Sequence, residues 1–279
     1  MLLKEALHSA ISALTAAQVG SPRLNAETLL MFTLGCDRAY LFAHPERELT
    51  SQEKLNYQEA IAQRAAGIPT QYITGHQEFW GMDLIVSPAV LIPRPETEHV
   101  IEAALELAPG AGSRIVDVGT GSGCIALALA KELPQAEIHA TDISPAALEV
   151  ARANAARHGL DQRMHFHQAD LLQGFDPGGF DLVVSNPPYV GNSEEDQVQL
   201  EVRKHEPRNA VFAGATGLEI IERLVPQARS ALRPSGFLVI EMSGTIAEGV
   251  KHLLADWSKL EVINDLQGIP RVAVAAKAP

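Results

Sequence analysis

The chain has 279 residues, 46% hydrophobic and 20% charged, with a net charge of −12. That length supports one large hydrophobic core and a smaller one, and no apolar run approaches the ~20 residues needed to span a bilayer. So acidic a balance, with aromatics at 5%, argues against a nucleic-acid-binding protein, whose surface carries a basic footprint and stacking rings.

Met1-Leu2-Leu3-Lys4-Glu5 reads as the start of an amphipathic helix rather than a signal peptide, so a cytoplasmic protein is expected. Leu3, Leu7, Ala10 and Leu14 mark one helix face. Ser21-Pro22 reads as an N-cap with proline at the first helical position, opening a helix through Leu34. Thr50-x-x-Glu53 has capping-box form and opens another helix, through about Ala66. Gly67-Ile68-Pro69 breaks it, and residues 71–75 and 78–86 then predict two strands of a hairpin. Leu91-Ile92-Pro93-Arg94-Pro95 is a constrained loop, and helix resumes over 96–107. From there strands at 114–118, 136–141, 164–168, 181–185, 236–242, 260–265 and 271–276 alternate with helices at 122–132, 144–158, 217–232 and 246–257. Such alternation implies an α/β fold with a mostly parallel sheet covered on both faces. The expected organisation is a helical domain over 1–70, a linking hairpin over 71–90 and the α/β domain over 91–279. Cys36 and Cys124 suggest no disulfide framework. His165-x-His167 has no third ligand at a clear spacing and reads as surface histidines, so no metal site is expected.

A nucleotide-type site follows from the strand ending at Val118. It enters Gly119-Thr120-Gly121-Ser122-Gly123 and then a strongly helical run from Cys124 to Ala130. Glycines there permit a tight turn and let a ligand approach the backbone. Asp142 ends the next strand, 23 residues after Gly119, where a carboxylate accepts hydrogen bonds from ribose hydroxyls. A dinucleotide fingerprint would read Gly-x-Gly-x-x-Gly, with pyrophosphate at the helix N-terminus. Here the spacing is Gly-x-Gly-x-Gly, and Asp117 stands two residues before the first glycine. That acid suits an ammonium group better than a phosphate. Ribose plus ammonium points to S-adenosylmethionine. Asp170 and Leu171, after the third strand, are expected beside the adenine, with Asp170 as an ordinary helix N-cap the competing reading.

The strand over 180–185 runs into Asn186-Pro187-Pro188-Tyr189. The prolines supply no N–H donors, and each holds the preceding residue extended. The result is a stiff strip of acceptors, the Asn186 side chain and the Asn186 and Pro187 carbonyls, with the Tyr189 ring beside them. Such a strip suits a flat N–H₂ group presented for reaction at nitrogen. A plain Pro-Pro turn is the bland alternative. Arg94, between two prolines, has two readings: it faces the cofactor cleft or clamps the substrate loop, or it pairs with Glu96 or Glu98 as scaffolding, the reading preferred here.

Several segments together resemble the release-factor glutamine methyltransferases (the HemK/PrmC family) over nearly the whole chain. They are Gln71-Tyr72-Ile73-Thr74-Gly75, Glu78-Phe79-Trp80-Gly81, Ile92-Pro93-Arg94-Pro95-Glu96-Thr97-Glu98, the stretch from Asp117 to Gly123, Ser185-Asn186-Pro187-Pro188-Tyr189 and Glu206-Pro207. The glycine loop marks methyltransferases broadly, and Asn-Pro-Pro-Tyr is shared with enzymes that methylate adenine amino groups. The Pro-Arg-Pro-Glu-Thr-Glu segment is narrower. Asp265 to Arg271 follows the family's closing strand pattern only loosely. The resemblance implies a seven-stranded, Rossmann-like class I methyltransferase domain, with its last strand antiparallel, behind a small N-terminal helical domain. It also implies methyl transfer from S-adenosylmethionine, leaving S-adenosylhomocysteine, to the side-chain nitrogen (N5) of the glutamine in the Gly-Gly-Gln loop of peptide chain release factors. Asn186, Pro187 and Tyr189 are the expected catalytic residues, joined by Pro188 in substrate binding. Asp117, Gly119, Thr120, Gly121, Ser122, Gly123, Asp142, Asp170, Leu171 and Asn186 are expected to bind the cofactor. The partners expected are release factors, with no direct nucleic-acid or membrane binding and a monomeric chain. Three rivals share parts of this pattern: a glutamine methyltransferase of a ribosomal protein, an adenine or guanine amino methyltransferase of nucleic acid, and a non-enzymatic module that binds the cofactor.

Overall fold

The computed structural model describes residues 1–108, 110 and 112–279. Two compact units emerge, one of Met1–His76 with Leu200–His205, the other of Gln77–Gln199 with Glu206–Pro279. In chain order the elements are α1 (Leu3–Ala16), α2 (Pro22–Leu34), α3 (Arg38–Ala43), α4 (Ser51–Ala65), α5 (Thr70–Thr74), β1 (His76–Phe79), β2 (Met82–Ile85), α6 (Glu98–Leu107), β3 (Arg114–Val118), α7 (Cys124–Glu132), β4 (Glu137–Asp142), α8 (Pro145–Arg157), β5 (Met164–Gln168), β6 (Phe180–Ser185), β7 (Val190–Gly191), α9 (Leu200–His205), α10 (Arg208–Val211), β8 (Phe212–Gly214), α11 (Glu219–Ala231), β9 (Leu232–Glu241), α12 (Ala247–Leu253), β10 (Lys259–Asn264) and β11 (Pro270–Ala276). Among the described residues, no helix is long and apolar enough to cross a membrane.

The first unit packs Leu3, Ala6, Ala10 and Leu14 of α1 against Ala26, Leu29 and Leu30 of α2 and Tyr57, Ala60 and Ile61 of α4. Tyr57 satisfies its buried hydroxyl by donating to the Ala26 carbonyl at 2.9 Å. Thr50 and Glu53 form the expected capping box at the head of α4. Ser21 does not cap α2 through its side chain. It takes a left-handed conformation (φ 50°), and Pro22 opens the helix instead. Helix α9 joins this unit through Glu201, which pairs with the buried Arg64 of α4 at 2.6 Å.

Two strand expectations need correction. Residues 71–74 belong instead to the one-turn helix α5 (Thr70–Thr74), with the Tyr72 N–H on the Pro69 carbonyl and the N–H of the capping Gly75 on the Gln71 carbonyl. Pro69 starts that turn and Gly75, at φ 77°, stops it, overriding the strand-like composition of Tyr72-Ile73-Thr74. The stretch 78–86 is not one strand. Trp80 and Gly81 both take positive φ, 52° and 64°, which is the geometry of a two-residue hairpin turn. Strands β1 and β2 therefore pair on either side of it.

The second unit is built on a seven-stranded sheet in the order β10-β11-β9-β6-β3-β4-β5. Strands β5, β4, β3, β6 and β9 run parallel, and β11 is antiparallel to both its neighbours. Side chains alternate across it, as the pleat requires. Ile115, Leu182, Val184, Val239 and Val272 face a layer with α6 and α7. Val116, Val183, Leu238, Ile240 and Ala273 face a layer with α11 and α12. The chain runs from β3 outward through β4 and β5, then returns to the other side of β3 as β6. Open α/β sheets bind ligands at such a reversal, outside the carboxyl ends of the strands.

Candidate active site

The carboxyl ends of β3, β4, β5 and β6 surround a cavity of about 270 Å³. Its wall includes Thr97, Gly119, Thr120, Gly121, Ser122, Asp142, Asp170, Leu171, Asn186 and Pro188. Gly119 and Gly121 sit at φ 73° and 55°, and a Cβ on either would meet nothing within 4 Å. The loop thus opens its backbone toward the cavity. Gly123 differs: a Cβ there would lie 3.1 Å from Leu127 and 3.2 Å from Ala151, so this glycine serves the close approach of α7 and α8. Asn154, fully buried in α8, donates to the carbonyls of Ser122 and Ile85 and fixes the loop from below.

Asp142 is held by two N–H donors. Gly121 donates to its Oδ2 and Ser144 to its Oδ1, each at 2.9 Å. Asp117 lies deeper, with 1% exposure, and is absent from the cavity wall. Its Oδ2 accepts the Thr120 hydroxyl at 2.6 Å, while Oδ1 is buried without a partner. Burial pushes the Asp117 carboxyl up to about 7, and the Thr120 hydroxyl only partly offsets it. Ser122 is also buried, its hydroxyl unpaired. Asp170 does not cap a helix. It pairs with Arg223 of α11 at 2.5 Å on the cavity wall. Leu171 takes a left-handed conformation (φ 58°), and its carbonyl accepts the Thr141 hydroxyl at 3.0 Å.

The strip after β6 is pinned at both ends. The Ser185 hydroxyl donates to the Val118 carbonyl at 2.7 Å, tying β6 to β3. Asn186 donates its Nδ2–H to Thr97 Oγ1 at 3.0 Å. Pro188 shares the cavity wall, whereas Pro187 and Tyr189 do not. Tyr189 packs beside the core layer of α11 and α12 and donates its hydroxyl to Glu241 Oε1 at 3.1 Å. Beyond it, β7 pairs with β8. Gly217 closes on this segment so tightly that a Cβ would fall 2.5 Å from the Tyr189 carbonyl oxygen.

Neither Thr97 nor Glu241 was given a role of its own from the sequence. Glu241, 2% exposed, ends the apolar run of β9. Burial pushes its carboxyl up to about 7, only partly offset by neighbouring hydroxyls such as that of Tyr189, which donates to it at 3.1 Å. An acid closing an otherwise apolar strand at the ligand-binding edge was the available signal. Arg94 is a scaffold residue, but its partner is Glu206 at 2.5 Å rather than Glu96 or Glu98. Glu206 also accepts the Ile92 N–H at 3.1 Å, which holds the proline-bounded loop. Cys124 borders the cavity, and desolvation pushes its thiol up to about 12, so it stays neutral and is no nucleophile.

Glu137, His139 and His165 bring possible metal-ligand atoms within 4.8 Å on β4 and β5. Arg114 stands among them, 3.2 Å from Glu137 and 3.4 Å from His139. Its guanidinium already supplies the positive charge there, and burial holds the His139 imidazole below its usual range.

Residues 5–75 match the family model of the PrmC N-terminal domain, and residues 100–205 that of the methyltransferase small domain. The chain is 56% identical, over 99% of both chains, to a release factor glutamine methyltransferase of Koribacter versatilis. It is 43% identical to one of Moorella thermoacetica, covering 99% of this chain and 98% of the relative. The chain belongs to the release factor glutamine methyltransferase family. This family member also shares its fold with a methyltransferase from Pyrococcus furiosus, at a TM-score of 0.54 and 18% identity over 80% of this chain and 99% of the other. A 16S rRNA N2 G1207 methyltransferase of T. thermophilus, solved with AdoMet and guanosine, aligns at a TM-score of 0.53 and 17% identity. That match covers 72% of this chain and 49% of the other. The fold is that of class I methyltransferases, and the chain is an enzyme of that class.

Proposed function

We propose that this enzyme methylates the side-chain nitrogen of the glutamine in the Gly-Gly-Gln loop of peptide chain release factors, using S-adenosylmethionine. The cavity suits that cofactor. Gly119 and Gly121 leave their backbone open to it, Asp142 offers acceptors for ribose hydroxyls, and the buried, unpaired Oδ1 of Asp117 suits an ammonium group. Asp170 and Leu171 flank the adenine position. When bound, the cofactor supplies a methyl group activated by an adjacent sulfonium.

One observation carries the choice of acceptor. Asn186 spends its N–H₂ on Thr97, which leaves its side-chain oxygen as an acceptor at the cavity wall. An amide nitrogen is a poor nucleophile because its lone pair is delocalised. Asn186 Oδ1 and the Pro187 carbonyl each accept one hydrogen of the substrate amide. That aims the nitrogen and stabilises positive charge as it develops there. Positioning of this kind supplies up to ~7–11 kcal/mol in the best cases. Pro188 stiffens the strip, and Tyr189 anchors its far end. A lone glutamine offers little area for specificity, so the N-terminal helices supply the surface that grips the protein substrate.

The test is incubation with methyl-labelled cofactor and a panel of release factor, ribosomal protein and nucleic acid, followed by mass mapping of the product. Label on the Gly-Gly-Gln glutamine is expected. Label confined to ribosomal protein or nucleic acid would overturn the assignment.

A further inference from the structure

We infer, building on the glutamine reading above, that Glu206 is a positioning residue for methyl transfer: by way of Arg94 and the turn that ends in Thr97, it fixes where the Asn186 carboxamide sits. The loop over 91–97 carries two prolines and so lacks two backbone N–H groups. Such a loop has few donors of its own with which to fasten itself to the domain. Glu206 supplies the fastening. Its side chain is 1% exposed, and its two oxygens take one donor each from either side of Pro93. Oε2 accepts the Ile92 N–H at 3.1 Å, and Oε1 accepts the Arg94 guanidinium at 2.5 Å. The second bond joins two charged groups and is the stronger. Held at two points by one carboxylate, the loop is fixed in rotation as well as in place.

The fastened loop delivers Thr97 to Asn186. Pro95 holds Arg94 extended, at φ −103° and ψ 143°, and Pro95–Thr97 form a single 3₁₀ turn. The Arg94 carbonyl accepts the Thr97 N–H at 3.1 Å and closes that turn. Thr97 is buried there, and its hydroxyl takes the Asn186 Nδ2–H at 3.0 Å. The path from Glu206 to Asn186 thus runs through three direct hydrogen bonds: Arg94 to Glu206, Thr97 to Arg94, and Asn186 to Thr97. The prolines after Asn186 stiffen its backbone, but its side chain still turns about its own torsions. The Thr97 bond is what holds the carboxamide. Pro93 and Thr97 stand on the cavity wall, as do Pro207, Asn209 and Ala210 just after Glu206, while Glu206 itself does not. It therefore acts on the reaction only through what it holds. Glutamine fits the same space but offers one acceptor where two are used. Its oxygen can keep the Ile92 N–H, and its N–H₂ then meets the Arg94 guanidinium, donor against donor.

The experiment uses the full chain with Glu206→Gln, Arg94→Ala and Arg94→Lys, each alone and combined with Asn186→Ala. Single-turnover methylation of release factor, cofactor affinity by calorimetry and the Asn186 side-chain N–H₂ resonances are measured together. Glu206→Gln and Arg94→Ala are each expected to slow methyl transfer by roughly 10–10²-fold, up to the scale of a reacting group misplaced by about 1 Å. Cofactor affinity should stay within about threefold, because Asp142 and the glycine loop are untouched. Arg94→Lys keeps a cationic donor for Oε1 and should retain most of the rate. In the Asn186→Ala background the same substitutions should cost no more than about threefold further, since the group they position is gone. General damage to the fold would instead multiply the losses. Asn186 N–H₂ exchange with water should speed up in Glu206→Gln and Arg94→Ala, and not in Arg94→Lys. A wild-type rate in Glu206→Gln, equal damage from Ala and Lys at Arg94, a loss of cofactor affinity as large as the loss of rate, or losses that multiply with Asn186→Ala would overturn the inference. Should Glu206→Gln not fold, the two Arg94 variants decide alone. Should the wild type fail to label release factor, the substrate reading falls, and the Asn186 resonances still decide this one: unchanged exchange in Arg94→Ala refutes it.

Discussion

Asp117→Asn separates what the glycine-loop acid does for binding from what it costs the fold. Asp117 is buried with one oxygen on Thr120 and the other unpaired. Burial moves its carboxyl from an ordinary 3.8 to about 7. At ~1.4 kcal/mol per pH unit, the ionised form is disfavoured in the fold by up to ~4 kcal/mol. The folded value lies above the unfolded one. Stability from the neutral acid is therefore full below about pH 4 and lost as pH rises through about 7. Asparagine has the same shape, never ionises and still accepts the Thr120 hydroxyl. Allowing about half the ceiling for desolvation of its own amide, the variant should be more stable than the parent at pH 8 by ~2 kcal/mol, or ~4–8 °C in Tm. At pH 5 the difference should shrink toward zero. Affinity for S-adenosylmethionine should fall roughly 10–100-fold, the loss of one charge-assisted hydrogen bond of ~1.5–3 kcal/mol. Thermal unfolding at the two pH values and calorimetric titration measure both effects. An equal Tm shift at pH 5 and pH 8, or an unchanged affinity, would refute the reasoning.

Asn186→Ala removes the side-chain acceptor without touching the glycine loop. Single-turnover kinetics should show a loss of ~10²–10³ with near-normal cofactor binding, as for other preorganised hydrogen-bonding groups. Retained turnover would exclude the acceptor role. Gly217→Ala puts a methyl 2.5 Å from the Tyr189 carbonyl oxygen at φ 88°, so the strip must shift. Turnover should drop by about 10²-fold, the price of a misplacement near 1 Å, while calorimetry finds cofactor affinity little changed. Full activity in this variant would show that the strip tolerates displacement.

The glycine loop, Asp142 and Asn186 were legible because each sits at a strand end, and strand ends follow from apolar runs. The glycine loop and Asp142 share one βαβ unit, β3-α7-β4, so local sequence suffices for their spacing, and Asn186 is marked by the proline pair that follows β6. Residues 71–75 were misread because Tyr72, Ile73 and Thr74 favour strands by composition, whereas Pro69 and Gly75 frame a single helical turn. Thr97 and Glu241 escaped notice for another reason: Thr97 meets Asn186 across 89 positions, and Tyr189 meets Glu241 across 52. No periodicity reports such pairings. Arg94 shows the same limit. Its nearest acids in sequence were the natural candidates, but in the fold it meets Glu206, 112 positions away.

The first unit is not a single stretch of chain. Helix α9 lies in sequence between β7 and β8 of the second unit, yet its Glu201 completes the setting of Arg64. A graft of this unit from a relative, intended to change which protein is methylated, therefore has to carry two separate inserts. Cutting after residue 76 would leave Arg64 without its acidic partner, and an isolated N-terminal fragment would misreport the module's own solidity.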